Sequence, residues 1–101
     1  MKTTFYLWLN DKVTKLQKID IIEAYKLVEN LTLSLFDGAS IASFKGIFKH
    51  ENWEVTIENS LSIMVLDCDK ETEAKFIDIL KKAFNQESIM VEKQKVNISF
   101  S

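Results

Sequence analysis

Hydrophobic side chains recur with two different spacings along this chain, and the first spacing is a strict alternation. One side of the opening segment carries Phe5, Leu7 and Leu9, and the other side carries Tyr6 and Trp8. An alternation of this kind predicts a β-strand, because successive side chains of a strand point to opposite faces of a sheet. Both sets of side chains are large and apolar, which favours a central strand over an edge strand.

A helical spacing follows a polar stretch, residues 10–18, which we interpret as a loop. Asp20 is placed to cap a helix, and Glu23 three residues later completes a capping box. Gly38 lies just past the predicted end of this helix, where we expect a left-handed cap. The apolar residues of the helix recur at steps of three and four and predict one buried stripe, made of Ile21, Ala24, Val28, Leu31 and Leu35.

The middle of the chain is typical of strands. Residues 41–50 alternate, a turn is predicted at 51–52, and residues 53–57 alternate again as a half-exposed strand does. The polar residues 58–60 interrupt the pattern. Residues 61–66 are nearly all apolar, which indicates a strand covered on both faces.

A second capped helix is predicted to begin after Asp69. The last strand, or a hairpin, is then expected from residues 89–91 and 96–100. The apolar stripe of the second helix is Phe76, Ile77, Leu80, Ala83 and Phe84.

This order of elements predicts a single α+β domain over residues 1–101 with the ferredoxin-like βαββαβ topology, an antiparallel sheet with two helices on one face. The other face of such a sheet must meet water, a partner subunit or a ligand. An apolar patch exposed there marks an interaction surface. We therefore predict a binding surface formed by Tyr6, Trp8, Phe48, His50 and Trp53.

The composition narrows the classes of partner. The net charge is -2, and all 13 basic residues are lysines. Specific recognition of bases and phosphates relies on the rigid arginine fork, so its absence argues against a nucleic-acid partner. No run approaches the roughly 18 apolar residues that cross a bilayer, so we expect no membrane partner. Cys68 is the only cysteine, which excludes an intramolecular disulfide and favours a cytoplasmic protein.

Four polar residues form a second candidate site. Glu58 and Ser60 precede the apolar strand, and Gln86 and Glu87 link the second helix to the last strand. One interpretation is a polar site at one end of the sheet, and the other is a loop whose side chains satisfy backbone groups at a helix end. The sequence shows no metal-ligand spacing and no cofactor motif, so we expect neither a metal nor a cofactor.

Four short motifs carry a resemblance. They are the segments 36–40, 46–48, 58–60 and 84–89, which read FDGAS, GIF, ENS and FNQESI. Together they resemble small bacterial and phage proteins of unknown function that combine a Phe-x-Gly turn, a glycine followed by an aromatic, a Glu-x-Ser and a Gln-Glu-Ser-Val end. The resemblance departs from that pattern where Ile89 replaces valine. It implies a ferredoxin-like fold and no particular activity.

Our functional prediction is a non-catalytic protein-interaction domain that associates with itself, as a homodimer, through its open sheet face or edge. Stacking of single-stranded RNA on the sheet and an apolar cavity for a small ligand are alternatives for that surface. A further alternative is a small phage or mobile-element inhibitor of a host defence protein or nuclease. The last is a dimeric small-molecule-binding protein or enzyme that uses His50 and a glutamate, because histidine transfers protons near neutral pH.

Overall fold

Six elements follow one another in the order that the sequence predicts. The computed structural model describes residues 1–11 and 16–100, so residues 12–15 of the predicted loop 10–18 lie outside the described residues. The elements are β1 (Lys2–Trp8), α1 (Ile21–Leu33), β2 (Ser40–Lys49), β3 (Val55–Leu66), α2 (Lys70–Phe84) and β4 (Met90–Gln94).

The four strands form one antiparallel sheet in the order β2-β3-β1-β4. Phe5 of the central strand β1 lies opposite Ile63 of β3 on one side and Val91 of β4 on the other. This arrangement confirms the predicted ferredoxin-like α+β fold.

The hydrophobic core lies between one face of the sheet and both helices. Phe5 packs edge-on against Phe76 of α2, with ring centroids 4.9 Å apart. Ala24 and Val28 of α1 are fully buried in the same cluster. Because β1 alternates, the set that contains Phe5 faces the helices and the set that contains Tyr6 and Trp8 faces away from them.

Both predicted N-caps are present, but one predicted C-cap is wrong. The carboxylate of Asp20 accepts a hydrogen bond from the Ile22 N–H, and that of Asp69 accepts one from the Thr72 N–H. Helix α1 ends at Leu33, well before Gly38, and no glycine in the described residues has a positive φ. Ser34 closes the helix instead, because its hydroxyl and its N–H both bond to carbonyl groups of the last turn.

Two strand predictions also need correction. β3 runs without a break through residues 58–60, which pair in register with residues 44–46 of β2. Their polar side chains do not end the strand, because Asn59 and Glu58 both make hydrogen bonds with the segment after β1. Residues 96–100 have strand-like alternation, yet they form no strand within this single chain.

β2 and β3 extend beyond the rest of the sheet as a two-stranded ribbon, residues 45–59, which we call the arm. Pairing of β1 with β3 ends at Trp8↔Ser60, whereas β2 and β3 remain paired as far as Lys49↔Val55. The arm makes the molecule long, with extents of 49 × 25 × 23 Å. No helix among the described residues is long and apolar enough to cross a membrane.

Candidate functional site

A cleft opens at the base of the arm, on the side of the sheet that the helices leave uncovered. Its volume is about 580 Å³, which is within the range of about 300–1,000 Å³ that is typical of small-molecule sites. The cleft is bounded by the end of β1, by the arm and by the loop after α2. It is lined by Trp8, Asn10, Asp11, Phe48, His50, Thr56, Glu58, Gln86, Glu87 and Ser88.

The aromatic side of the cleft continues into a ring cluster on the open face. Trp8, Tyr6 and Phe44 contact one another, with centroids 5.9–6.4 Å apart. Gly46 leaves room beside them, since a Cβ at that position would lie 3.0 Å from the ring of Phe48 and 3.4 Å from Trp8 Nε1. The glycine therefore allows the two rings that line the cleft to lie close against the backbone.

The polar side of the cleft is organised around the backbone of Asn10. The Asn10 N–H donates to Glu58 Oε2 at 2.8 Å, and its carbonyl oxygen accepts from Gln86 Nε2 at 2.7 Å. The same Gln86 amide also donates to the carbonyl of Phe84, 3.3 Å away, at the end of α2. These bonds hold the arm, the end of β1 and the loop after α2 together, so the three sides of the cleft have a defined spacing.

The acidic side chains of the cleft differ in how far their charge is already compensated. Asp11 Oδ2 is 3.7 Å from Lys18 Nζ and accepts a hydrogen bond from Asn85 Nδ2. Glu58 accepts its backbone hydrogen bond but forms no ion pair with a described lysine, and Glu87 has neither kind of partner in the described chain. The cleft therefore offers two carboxylates to a cationic ligand.

His50 lies in the cleft but does not contact a glutamate. Its Nε2 is 2.8 Å from the hydroxyl oxygen of Thr56, across the arm, and the two groups share a hydrogen bond. A direct histidine–glutamate pair is therefore absent from the described residues. The two residue types share one concave site in which a bound molecule could contact both.

The structure brings together six of the nine residues that the sequence singles out. From the predicted binding surface these are Trp8, Phe48 and His50, and from the predicted polar site they are Glu58, Gln86 and Glu87. The four other lining residues are Asn10, Asp11, Thr56 and Ser88. Ser88 directly follows the predicted polar loop residues Gln86 and Glu87. Thr56 lies opposite Phe48 in the hairpin register, so correct strand pairing would have revealed it, whereas nothing in the sequence marks Asn10 and Asp11.

The other three predicted residues lie elsewhere. Tyr6 donates its hydroxyl proton to Glu92 Oε1 at 3.0 Å, and this hydrogen bond, with burial, raises the pKa of the tyrosine. Ser60 is fully buried between Trp8 and Phe44 on the neighbouring strands, and its hydroxyl has no hydrogen-bond partner in the described chain.

Trp53 lies in the turn at the tip of the arm, 76% exposed, with Lys49 Nζ 4.1 Å from its ring centroid. Its φ of 71° is left-handed, a conformation that is costly for a bulky side chain.

The described residues contain no cluster of three or more His, Cys, Asp or Glu side chains that could hold a metal ion.

Comparison with known proteins finds relatives in structure only. No family model matches the chain, and no curated protein sequence matches it. A phage SAM lyase in complex with S-methyl-5′-thioadenosine is similar at a TM-score of 0.57 and 20% identity, covering 89% of this chain and 76% of that one. The same kind of enzyme in its apo state matches at a TM-score of 0.58 and 22% identity, covering 89% and 75%.

A second group of similar structures belongs to a different kind of protein. The periplasmic divalent cation tolerance protein CutA from Archaeoglobus fulgidus is similar at a TM-score of 0.58 and 16% identity, covering 97% of this chain and 88% of that one. At these identities the likenesses establish the fold. The chain thus has a ferredoxin-like fold that is shared by proteins with different activities.

Proposed function

We propose that this protein associates with itself and binds S-adenosylmethionine in the cleft, which it cleaves to release S-methyl-5′-thioadenosine. The observation that carries the proposal is the composition of the cleft. It combines the rings of Trp8 and Phe48 with the carboxylates of Glu58 and Glu87, which pair with no described lysine.

This combination suits a ligand that has both a flat ring and a positive charge. S-adenosylmethionine carries a sulfonium next to an adenosine group and an ammonium on its amino-acid chain. Tryptophan is the side chain that best attracts a cation over its face, and a purine ring stacks on an aromatic side chain. A carboxylate in a partly enclosed site gives the ammonium a charge-assisted hydrogen bond.

The similarity to a phage SAM lyase supports this class of ligand. That protein shares the fold and is complexed with S-methyl-5′-thioadenosine. The likeness alone establishes only the fold, and the argument for the ligand comes from the charge and the rings of this cleft. The resemblance of the sequence motifs to phage proteins is consistent with the same origin.

The cleavage can be written without a second substrate. The bond between sulfur and the amino-acid chain breaks, and its electron pair stays on sulfur, which becomes neutral. In one route, the carboxylate of the same molecule attacks the carbon that leaves sulfur and closes a lactone. In the other route, a base removes a proton from the neighbouring carbon and a double bond forms. His50 lines the cleft and is the base that we propose for the second route. The four-carbon product identifies which route operates.

Binding is tested first, by calorimetry with two ligands. One is S-adenosylhomocysteine, which lacks the sulfonium charge, and the other is S-adenosylmethionine, measured before much of it is cleaved. We expect tighter binding of the sulfonium, and a loss of about tenfold in its affinity in Glu58→Gln, which corresponds to about 1.4 kcal/mol. Glu29→Gln on α1 removes the same charge outside the cleft and should bind as the wild type does. Equal affinities for the two nucleosides would remove the electrostatic argument.

Turnover is tested by incubation with S-adenosylmethionine and separation of the nucleoside products. We expect S-methyl-5′-thioadenosine to accumulate with the wild type and far more slowly with Glu58→Gln. If neither nucleoside binds and no thioadenosine forms, the proposed ligand and activity are both wrong.

Self-association is supported by the exposed apolar side chains of the arm. Ile47, Val55 and Ile57 are 56–69% exposed on the face of the arm that continues the helix-covered face of the sheet, beyond the ends of the helices. Light scattering at low and high protein concentration measures it directly, and a strict monomer at both would remove this part of the proposal.

A non-catalytic interaction domain is the second candidate function. The exposed arm and the ring cluster of Tyr6, Trp8 and Phe44 favour it, because apolar surface of this kind serves protein contacts. It becomes the preferred function if the protein self-associates without binding either nucleoside. The homodimeric state, the cytoplasmic location and the inhibition of a host protein stay predictions.

A further inference from the structure

We infer that residues 95–100 of one copy of this chain pair as an added β-strand along the arm of a second copy. We call these residues the trailing segment. The inference rests on the proposed self-association and specifies which surfaces make it. It joins the trailing segment, which pairs with no strand of the sheet, to the arm, whose strand edges have no neighbouring strand.

The trailing segment has the side-chain pattern of a strand but no strand to pair with. Val96, Ile98 and Phe100 alternate with polar residues. Ile98 is 49% exposed and Phe100 is 92% exposed, and the segment belongs to no strand of the sheet. An alternating apolar segment of this kind gains burial only when another strand covers it.

The arm has the opposite deficiency, because it is a ribbon of two strands with free edges. β1 stops pairing with β3 at Ser60, and the next backbone hydrogen bond on that edge, from Leu9 to Asn59, is the last among the described residues. The outer edge of β2 has no neighbouring strand in the sheet order. Two strands without a third are marginally stable in water, and unpaired edges accept an added strand.

The side chains of the two parts match. On the side of the arm that continues the helix-covered face, Ile47, Val55 and Ile57 are all more than half exposed. The three apolar side chains of the trailing segment would cover this strip if the segment lay along the arm. The polar residues between them would then face the side on which the cleft opens.

The two parts cannot meet within one copy. Gln94 lies opposite Lys2, at the end of β1 that is remote from the arm, and the chain leaves the sheet there. The six residues that follow span about 20 Å when extended. This is roughly the length of β1. A segment that ran back along the sheet would therefore only reach the base of the arm and could not extend along it.

A contact between two different parts of the chain is made twice, reciprocally, in a two-fold dimer, or once between successive copies in a ring or a filament. It also bears on the proposed ligand site. Thr56 and Glu58 of β3 line the cleft, so a strand added along the β3 edge of the arm would flank the cleft.

Substitutions in both parts test the inference, with the mass in solution measured by light scattering and the fold by circular dichroism. Ile57→Lys in the arm, and Ile98→Lys with Phe100→Lys in the trailing segment, should each reduce the mass to that of a single chain. Ile22→Lys is the control, because Ile22 of α1 is 63% exposed outside both parts, and it should leave the mass unchanged.

The outcomes separate the two proposals. A wild type that is monomeric contradicts the proposed self-association and this inference together. A wild type that self-associates, with folded variants that keep its full mass, contradicts the inference and leaves self-association standing.

Cross-linking tests the pairing itself. In a Cys68→Ser background, Ile57→Cys is combined in turn with Val96→Cys, Ile98→Cys and Phe100→Cys, so that the register does not decide the result. A short bis-maleimide should join two or more chains into cross-linked species on a denaturing gel for at least one pair, and Ile22→Cys with Ile57→Cys should not. Absence of cross-linked chains for all three pairs would overturn the inference.

Discussion

β2 and β3 run through both the helix-covered half of the sheet and the arm, yet the apolar side chains on one face of β3 are buried in the first region and exposed in the second. On one face of β3, Ile63 is fully buried beneath the helices, whereas Ile57, six residues earlier on that face, is 61% exposed. The strand pairing is continuous between them. The difference teaches that the reach of the helices, and not the strand itself, decides which isoleucine belongs to the core.

The largest expected effect comes from truncating these two isoleucines in turn. Ile63→Ala should lower the free energy of unfolding by about 2–5 kcal/mol, since it leaves a cavity in the core. Ile57→Ala should change the stability of a single copy by less than about 0.5 kcal/mol, as surface substitutions do. Urea unfolding of both variants at low protein concentration measures the contrast, and equal losses would show that the arm is already covered.

A smaller effect, of opposite sign, is expected at the tip of the arm. Trp53→Gly should stabilise the chain by about 1 kcal/mol, because the left-handed conformation costs roughly that amount for a residue with a Cβ. Thermal unfolding measures the gain. A loss of stability would show instead that the contact between Trp53 and Lys49 outweighs the backbone strain.

Acid should act on the helix-covered half through the cap of α2. Hydrogen bonds from the N–H and hydroxyl of Thr72 lower the pKa of Asp69. A lowered folded-state pKa means that this contribution to stability is present above the ordinary aspartate pKa and is lost as the pH falls through the lowered value. The melting temperature of the wild type should therefore fall further in acid than that of Asp69→Asn, and parallel pH profiles would contradict this.

The smallest effect on stability is expected at Gly46, where the consequence should appear in the cleft instead. Alanine improves strand propensity by about 0.5–1 kcal/mol, but its Cβ would lie 3.0 Å from the ring of Phe48 and displace that ring within the cleft. Gly46→Ala should melt close to the wild type and bind S-adenosylmethionine several-fold more weakly, by calorimetry. Ser43→Ala on the other face of β2 is the control, and unchanged binding in Gly46→Ala would show that the rings do not hold the ligand.

The parts of the fold that depend on local chemistry could be predicted from the sequence. Asp20 and Asp69 cap their helices because a short acidic side chain reaches the free N–H groups of the first turn. The exit of α1 could not be predicted, because Ser34 satisfies the last carbonyls before the chain reaches Gly38. The continuity of β3 also escaped prediction, since the partners of Glu58 and Asn59 come from a distant segment.

The candidate site was predicted as two separate groups of residues, and the structure joins most of them. Trp8 and Phe48 were assigned to the predicted binding surface, and Gln86 and Glu87 were assigned to the predicted polar site. The cleft exists because Asn10 bonds to both Glu58 and Gln86. No spacing in the sequence predicts these two hydrogen bonds, because Glu58 and Gln86 are 48 and 76 residues away from Asn10 in the chain.

The sequence alone determined the order of strands and helices, the alternation that puts Tyr6 and Trp8 on the opposite face from Phe5, and the acidic, arginine-free composition. These features are local, since they follow from the period of the side chains and the chemistry of each helix end. Only the tertiary structure decided which face of β1 the helices cover, that β2 and β3 extend beyond the helices, that a cleft forms at the base of the arm, and that residues 95–100 join no strand of the described sheet. Those features depend on where separate elements end in space, which is set by contacts between residues far apart in the chain.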